Sequence, residues 1–165
     1  MTYASFTNPV FRDRLTPRDR DQVLRITASS GFFTEAEVAV AVELVDERLA
    51  KGETSGYHFL FTELAERTVA YSCFGPIACT LSSFDLFWIA VEENARAHGL
   101  GSLLLAESER LITGLGGTRI YVETSSRPLY APTRLFYERR GYRKETVLED
   151  FYAPDDGKVI YVKVL

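Results

Sequence analysis

Residues 84–112 read FDLFWIAVEENARAHGLGSLLLAESERLI. The first eight, apolar but for Asp85, form an alternating, aromatic-rich run, the pattern of a strand. From about Gly99 to Thr113 the leucines 100, 103, 104 and 111 recur at helical spacing. After GLGG at 114–117 the segment TRIYVETS, 118–125, reads as another strand. Strand, helix and strand in so short a span predict a right-handed crossover onto a parallel pair, because the leucine stripe must pack back on the sheet.

Working outward, a short strand is expected near residues 10–15, with Thr16-Pro17 supplying an N-cap and a first-turn proline for a helix ending at Gly31. Thr34 and Glu37 have capping-box spacing, and Val38, Val42, Val45 and Leu49 give a second helix stopped by Gly52. YHFLFTEL and TVAYSCFG, separated by AER, read as an antiparallel hairpin closed by Gly75-Pro76. Downstream of 125, PTRLFYERR predicts a short helix stopped by Gly141. Two final strands, YRKETVLEDFY and KVIYVKVL, follow, joined through APDDG with Asp-Gly as the tight turn. The expected architecture is α/β (α+β), a mixed sheet of about seven strands with four helices in the order βααβββαβαββ.

Composition agrees with one compact domain over residues 1–165: 46% of residues are hydrophobic and 25% charged, with no repeat or linker-like tract. No window is apolar enough for a membrane helix and the N-terminus lacks a leader pattern, so a soluble, cytoplasmic protein with no membrane partner is expected. A net charge of −4 and a pI near 5.3 argue against nucleic acid as a partner. Cys73 and Cys79 match no metal-ligand spacing, so no metal is expected and both read as reduced thiols near a buried strand.

The glycines at the strand-helix junction have a physical use. The first N–H groups of a helix lack intrahelical partners and the dipole there is positive, so a loop with Gly99 and Gly101 can approach and hold a phosphate. Arg96 adds a fixed cation at its mouth. The alternative is a tight turn with close packing and an ordinary solvated arginine. A dinucleotide fingerprint is excluded, because its third glycine is absent and the preceding strand is the fourth, not the first.

Taken together, LFWIAVEENARAHGLGSLLL, RIYVETS and RLFYERRGYRKE resemble the GNAT superfamily of acyl-CoA-dependent N-acetyltransferases. The resemblance runs from about Val10 to the C-terminus. That family has a Q/R-x-x-G-x-G/A loop gripping the coenzyme A pyrophosphate, matched by Arg96, Gly99 and Gly101, and a later F-Y-x-x-x-G-[FY] segment, matched by Phe136, Tyr137, Gly141 and Tyr142. It implies acetyl-CoA as cosubstrate. Arg96, Ala97, His98, Gly99, Leu100, Gly101 and Ser102 would lie at the pyrophosphate, and the backbone of Ile89, Ala90 and Val91 along the pantetheine, on a fourth strand that bulges and splays from the fifth. Two positions depart from the family: Glu93 stands for a common proline, and Tyr130 for an asparagine that often contacts coenzyme or substrate.

The expected reaction is direct attack of a primary amine on the thioester in a ternary complex. An alkyl amine with a lysine-like pKa is neutral at pH 7 in about one molecule in 10³, so its proton must be taken. The family assigns protonation of the leaving thiolate to the tyrosine that Tyr137 matches; its other reading is a core aromatic. A backbone N–H near Ala90 or Val91 would polarise the carbonyl. Glu123, in a strand expected to be covered on both faces, is the candidate base or substrate anchor, with a raised pKa, or else half of an ion pair with Arg119 or Arg127. Asp85 and Asp150 rank below it.

The acceptor side is expected in SGFFTEAE and LEDFYAPDDG, with Phe32, Phe33, Glu35 and Asp150 as substrate-binding residues. That mixture suits a cationic amine with an apolar body, and equally a helix junction with an acidic rim. The acceptor stays open between a small-molecule amine and a protein amine, as does a homodimer. The other function class is a catalytically silent acyl-CoA-binding domain, which the retained Tyr137 argues against.

Overall fold

The computed structural model of the chain describes residues 8–96 and 98–165. In chain order the elements are β1 Val10–Arg12, α1 Asp19–Ser29, α2 Glu35–Lys51, β2 His58–Leu64, β3 Arg67–Pro76, β4 Ser83–Val91, α3 Leu100–Gly114, β5 Arg119–Ser125, α4 Ala131–Glu138, β6 Arg143–Ala153 and β7 Asp156–Val164, with short 3-10 turns before β2, α3 and α4. The seven strands form one sheet in the order β1-β2-β3-β4-β5-β7-β6. All pairs with a registered partner are antiparallel except β4 with β5, where Ser83, Phe84 and Asp85 run parallel to Arg119, Ile120 and Tyr121. The predicted element order and the mixed α/β class hold.

Local chemistry explains the elements. The capping box of α2 is complete: Glu37 N–H donates to Thr34 Oγ1 at 3.2 Å and Thr34 N–H to Glu37 Oε2 at 2.7 Å. The β2–β3 turn is Ala65-Glu66, both at positive φ, as a two-residue hairpin with matching twist requires.

Three expectations shift. Thr16 does not cap α1; it forms a turn with Asp19, whose carboxylate accepts from both the N–H and the hydroxyl of Thr16, and the helix starts at Asp19. The β6–β7 turn uses Pro154-Asp155, with Asp155 at φ 62, while Asp156 and Gly157 belong to β7. In α3 the buried positions are Leu100, Leu104, Leu105, Ser108 and Ile112, and Leu103 is exposed, since a stripe advancing four residues per turn excludes it.

The chain divides into two compact units, one running up to Gly75 and including 88–110, the other 76–87 and 111–165. In the first, Val23 and Ile26 of α1, Ala41, Val42 and Val45 of α2, Phe59 and Phe61 of β2, Tyr71 and Cys73 of β3 and Ala90 of β4 form one buried cluster, with Trp88 packed against it. Each such large apolar side chain contributes about 1.5–3 kcal/mol when buried. A second cluster joins Leu64, Val69, Ala95 and Leu100. Cys73 is buried in β3 and its thiol pKa is pushed up by burial, which keeps it inert, whereas Cys79 is exposed in the β3–β4 loop. In the second unit Gly117 is a close approach: a Cβ there would lie 2.4 Å from Ile112 Cγ2 and 2.8 Å from Phe84.

Candidate functional site

The first unit carries the strand-to-helix junction. β4 ends at Val91, Glu93–Ala95 make one 3-10 turn, and α3 begins at Leu100. Gly99 has φ +72, a left-handed conformation that side chains other than glycine resist, although a Cβ there would meet nothing within 4 Å. Its carbonyl accepts from Leu103 N–H at 3.2 Å, so Gly99 stands at the head of α3 and the helix opens on the residues after it. That start fits a phosphate group by its dipole and its amides. His98 is exposed, with Nδ1 2.9 Å from the Arg96 carbonyl oxygen; Ala97 lies outside the described residues.

Arg96 is not simply solvated. Its Nε donates to the carbonyl of Val91 at 3.3 Å and Nη2 to the carbonyl of Ser30 at 3.0 Å, while its Cζ lies 5.1 Å from the Phe32 ring centroid. Phe33 meets Trp88 of β4 edge to face at 4.9 Å. The structure thus brings Phe32, Phe33, Arg96 and the end of β4 together. Glu35 opens α2 as an exposed residue.

A further fastening went unread in the sequence. Glu92, immediately after β4, is 5% exposed; its N–H donates to the Val69 carbonyl, and its Oε1 accepts from Arg25 of α1 and, at 2.5 Å, from Arg67 of β3. These partners stand 67 and 25 residues away, so no local spacing announces them.

The second unit holds the carboxylates Glu123, Asp85 and Asp150 and the tyrosines Tyr130 and Tyr137 singled out in the sequence. Tyr137 of α4 is 4% exposed, and burial raises its phenol pKa. Gly141, at φ +85, lets the chain turn back so that Tyr142 N–H bonds the Tyr137 carbonyl at 3.1 Å and the Tyr142 ring meets the Tyr137 ring at 5.4 Å. Tyr161 of β7 closes the group at 6.2 Å. This is the physical content of the F-Y-x-x-x-G-Y spacing: the glycine folds the last tyrosine onto the first. Tyr130, at the start of α4, is buried, with Arg127 Cζ 5.6 Å from its ring centroid.

Glu123 is placed differently from expectation. Its side chain is 49% exposed, not covered on both faces, and its Oε2 pairs with Lys158 Nζ of β7 at 2.8 Å, not with Arg119 or Arg127. Arg127 instead pairs with Asp156 at 3.2 Å. The carboxyl held above its ordinary pKa is that of Asp85 on β4, raised by burial and then by the negative charge of Glu123, with Lys158 pulling the other way. The Lys158 ammonium also lies 3.9 Å from the Phe151 ring centroid. Asp150, at φ 52, accepts from the Asp155 N–H at 2.8 Å and serves the hairpin. Among the described residues no cluster of His, Cys, Asp and Glu could hold a metal, and no helix is long and apolar enough to cross a membrane.

Comparison with known proteins agrees with this geometry. Residues 55–144 match the family model described as an acetyltransferase (GNAT) domain. A GNAT-family protein from Desulfovibrio desulfuricans is 43% identical, superposes with a TM-score of 0.93 and covers 95% of this chain and 99% of its own. The PaiA N-acetyltransferase of Thermoplasma acidophilum, solved with coenzyme A, shares the fold at 14% identity and a TM-score of 0.75, covering 96% of this chain and all of its own. So does the ribosomal-protein-S18-alanine N-acetyltransferase of Escherichia coli, at 19% and 0.76, covering 95% and 94%. No curated protein matches the chain. The chain belongs to the GNAT acetyltransferase family.

Proposed function

We propose that the protein, acting as one domain, transfers an acetyl group from acetyl-CoA to a primary amine by direct attack in a ternary complex. The observation that carries this is the junction after β4, where Gly99 at φ +72 heads α3 in a chain of the GNAT family. The α3 start is suited to the coenzyme's diphosphate through the main chain around Gly99 to Ser102, and the edge of Ile89–Val91 to its pantetheine. Acetyl-CoA supplies the thioester carbon that the amine attacks and the thiolate that leaves.

The chain's part in the chemistry is proton handling. An ammonium acceptor must lose a proton before its nitrogen can form the new amide bond. Asp85 is the better acceptor for it, because burial and Glu123 have raised its proton affinity, whereas the carboxylate of Glu123 is occupied by Lys158. Glu123 then acts as the negative charge that tunes Asp85. As the C–S bond breaks, the Tyr137 hydroxyl, kept protonated by burial, donates its proton to sulfur; the second proton that leaves the nitrogen as the amide forms restores the hydroxyl, and Asp85 returns its proton to solvent.

The acceptor is a small amine or a protein amine; of the acetyltransferases of similar fold, one is named for an aminoglycoside and another for a ribosomal-protein alanine. A panel of primary amines, with released thiol read by a dye, tests the reading. Transfer to at least one amine with one CoA released per product is expected. Tight CoA binding with no transfer to any amine would instead mark a silent acyl-CoA-binding domain.

A further inference from the structure

The Arg96 side chain is spent on the protein. Its Nε donates to the carbonyl of Val91, the last residue of β4, and its Nη2 to the carbonyl of Ser30, at the C-terminal cap of α1. A helix C-terminus presents unpartnered carbonyls and the negative end of its dipole, and a guanidinium there is favourable on both counts. The last turn of α1 carries no basic residue of its own, so Arg96 supplies that cation from across the sequence. Beyond the cap the junction is stiff: the Ser30 hydroxyl donates to the Thr27 carbonyl at 2.8 Å and accepts from the Phe32 N–H at 3.2 Å. Arg96 lies over the Phe32 ring, and Phe33 rests on Trp88.

We infer that Arg96 is a positioning residue, whose guanidinium ties the α1–α2 junction to the end of β4 and so couples coenzyme binding to the Phe32–Phe33 segment. This rests on the acetyl-CoA reading above, and it assigns the diphosphate to the main chain after Arg96 instead of to the guanidinium. Phe32 and Phe33 are therefore set by the same contact that sets the pantetheine strand. A coenzyme that fixes the strand fixes them too.

The test uses Arg96→Met, which keeps the length of the side chain and removes its donors, with Arg96→Lys as the milder variant. Affinities for CoA and for pantetheine are compared with those of the wild type. A positioning role predicts that Arg96→Met weakens both by the same factor, about tenfold, the scale of a lost charged hydrogen bond, and leaves their ratio unchanged. Arg96→Lys, which can reach one carbonyl but not span two, should fall between. If CoA weakens while pantetheine holds, the guanidinium is a diphosphate ligand and the inference is overturned.

Trp88 is the sole tryptophan and gives an independent readout. In the wild type, saturating CoA should lower acrylamide quenching of Trp88; in Arg96→Met that response should be lost at equal saturation. A full response in the variant would remove the coupling. Should Arg96→Met fail to fold, Arg96→Lys carries both measurements with the same opposed outcomes. Wild-type protein that binds no CoA would overturn the acetyl-CoA reading itself, a failure distinct from either of these.

Discussion

The junction around Arg96 and the surroundings of Tyr137 and of Asp85 are built on opposite principles. In the first unit the charged side chains near the β4 end are committed to the protein: Arg96 to two carbonyls, Glu92 to Arg25 and Arg67. In the proposed reading, what that unit offers the coenzyme is main chain, shaped by Gly99. In the second unit two ionisable groups, Asp85 and Tyr137, are held with raised proton affinity by burial, and one of them also by a neighbouring charge. The junction is organised to hold a shape, and the surroundings of Asp85 and Tyr137 to hold protons. Variants in the second should therefore change rates and pH profiles while leaving coenzyme affinity alone.

The largest effect is expected from Asp85→Asn, which keeps the size of the side chain and abolishes proton uptake. Single-turnover acetyl transfer should fall by about 10²–10⁴-fold, the usual contribution of a general base, with the CoA dissociation constant little changed. A parallel loss of CoA affinity would blur the division between the regions. Transfer at the wild-type rate would return the base role to Glu123.

Tyr137→Phe comes next. The ring and its contacts with Tyr142 and Tyr161 remain, so fold and CoA affinity should persist. Single-turnover transfer should fall by about 10²-fold if protonation of sulfur limits the chemical step. A variant as fast as the wild type would leave Tyr137 as a packing aromatic.

The smallest effects are displacements of the acid limb of the kcat/KM profile. Asp85 must be ionised to act, so activity falls as pH drops through its raised pKa. Glu123→Gln removes a charge that raises this pKa, and the limb should move to lower pH. Lys158→Met removes one that lowers it, and the limb should move to higher pH. Shifts in the same direction for both variants would show that Asp85 is not the group being titrated.

What the sequence revealed divides along the range of the interaction. The α2 capping box, the β2–β3 hairpin and the F-Y-x-x-x-G-Y turn are set by residues within a few positions of one another, and each is legible as a pattern. The exposure of Leu103 was missed because its spacing fits a helical stripe as well as that of Leu104 does; only the packed neighbours choose between them. Glu92 takes a partner 67 residues away on α1 and Arg96 one 66 residues away at its C-cap, and the raised pKa of Asp85 comes from burial in the folded sheet and then from a charge on another strand. The strand-like residues flanking Glu123 make its carboxylate look covered in the sequence. Its pairing with Lys158 arises from the β5–β7 register, which no local motif encodes.

The central claim, that this fold is organised around acetyl-CoA, is tested most directly by thermal unfolding of the wild-type protein with and without the coenzyme. At 100 times its dissociation constant a ligand that binds only the folded state adds about 2.7 kcal/mol, which for a chain of this length corresponds to a rise in Tm of about 5–10 °C. The account predicts that rise with acetyl-CoA and with CoA. No rise at millimolar CoA, together with a clear one for ATP or NAD, would contradict it.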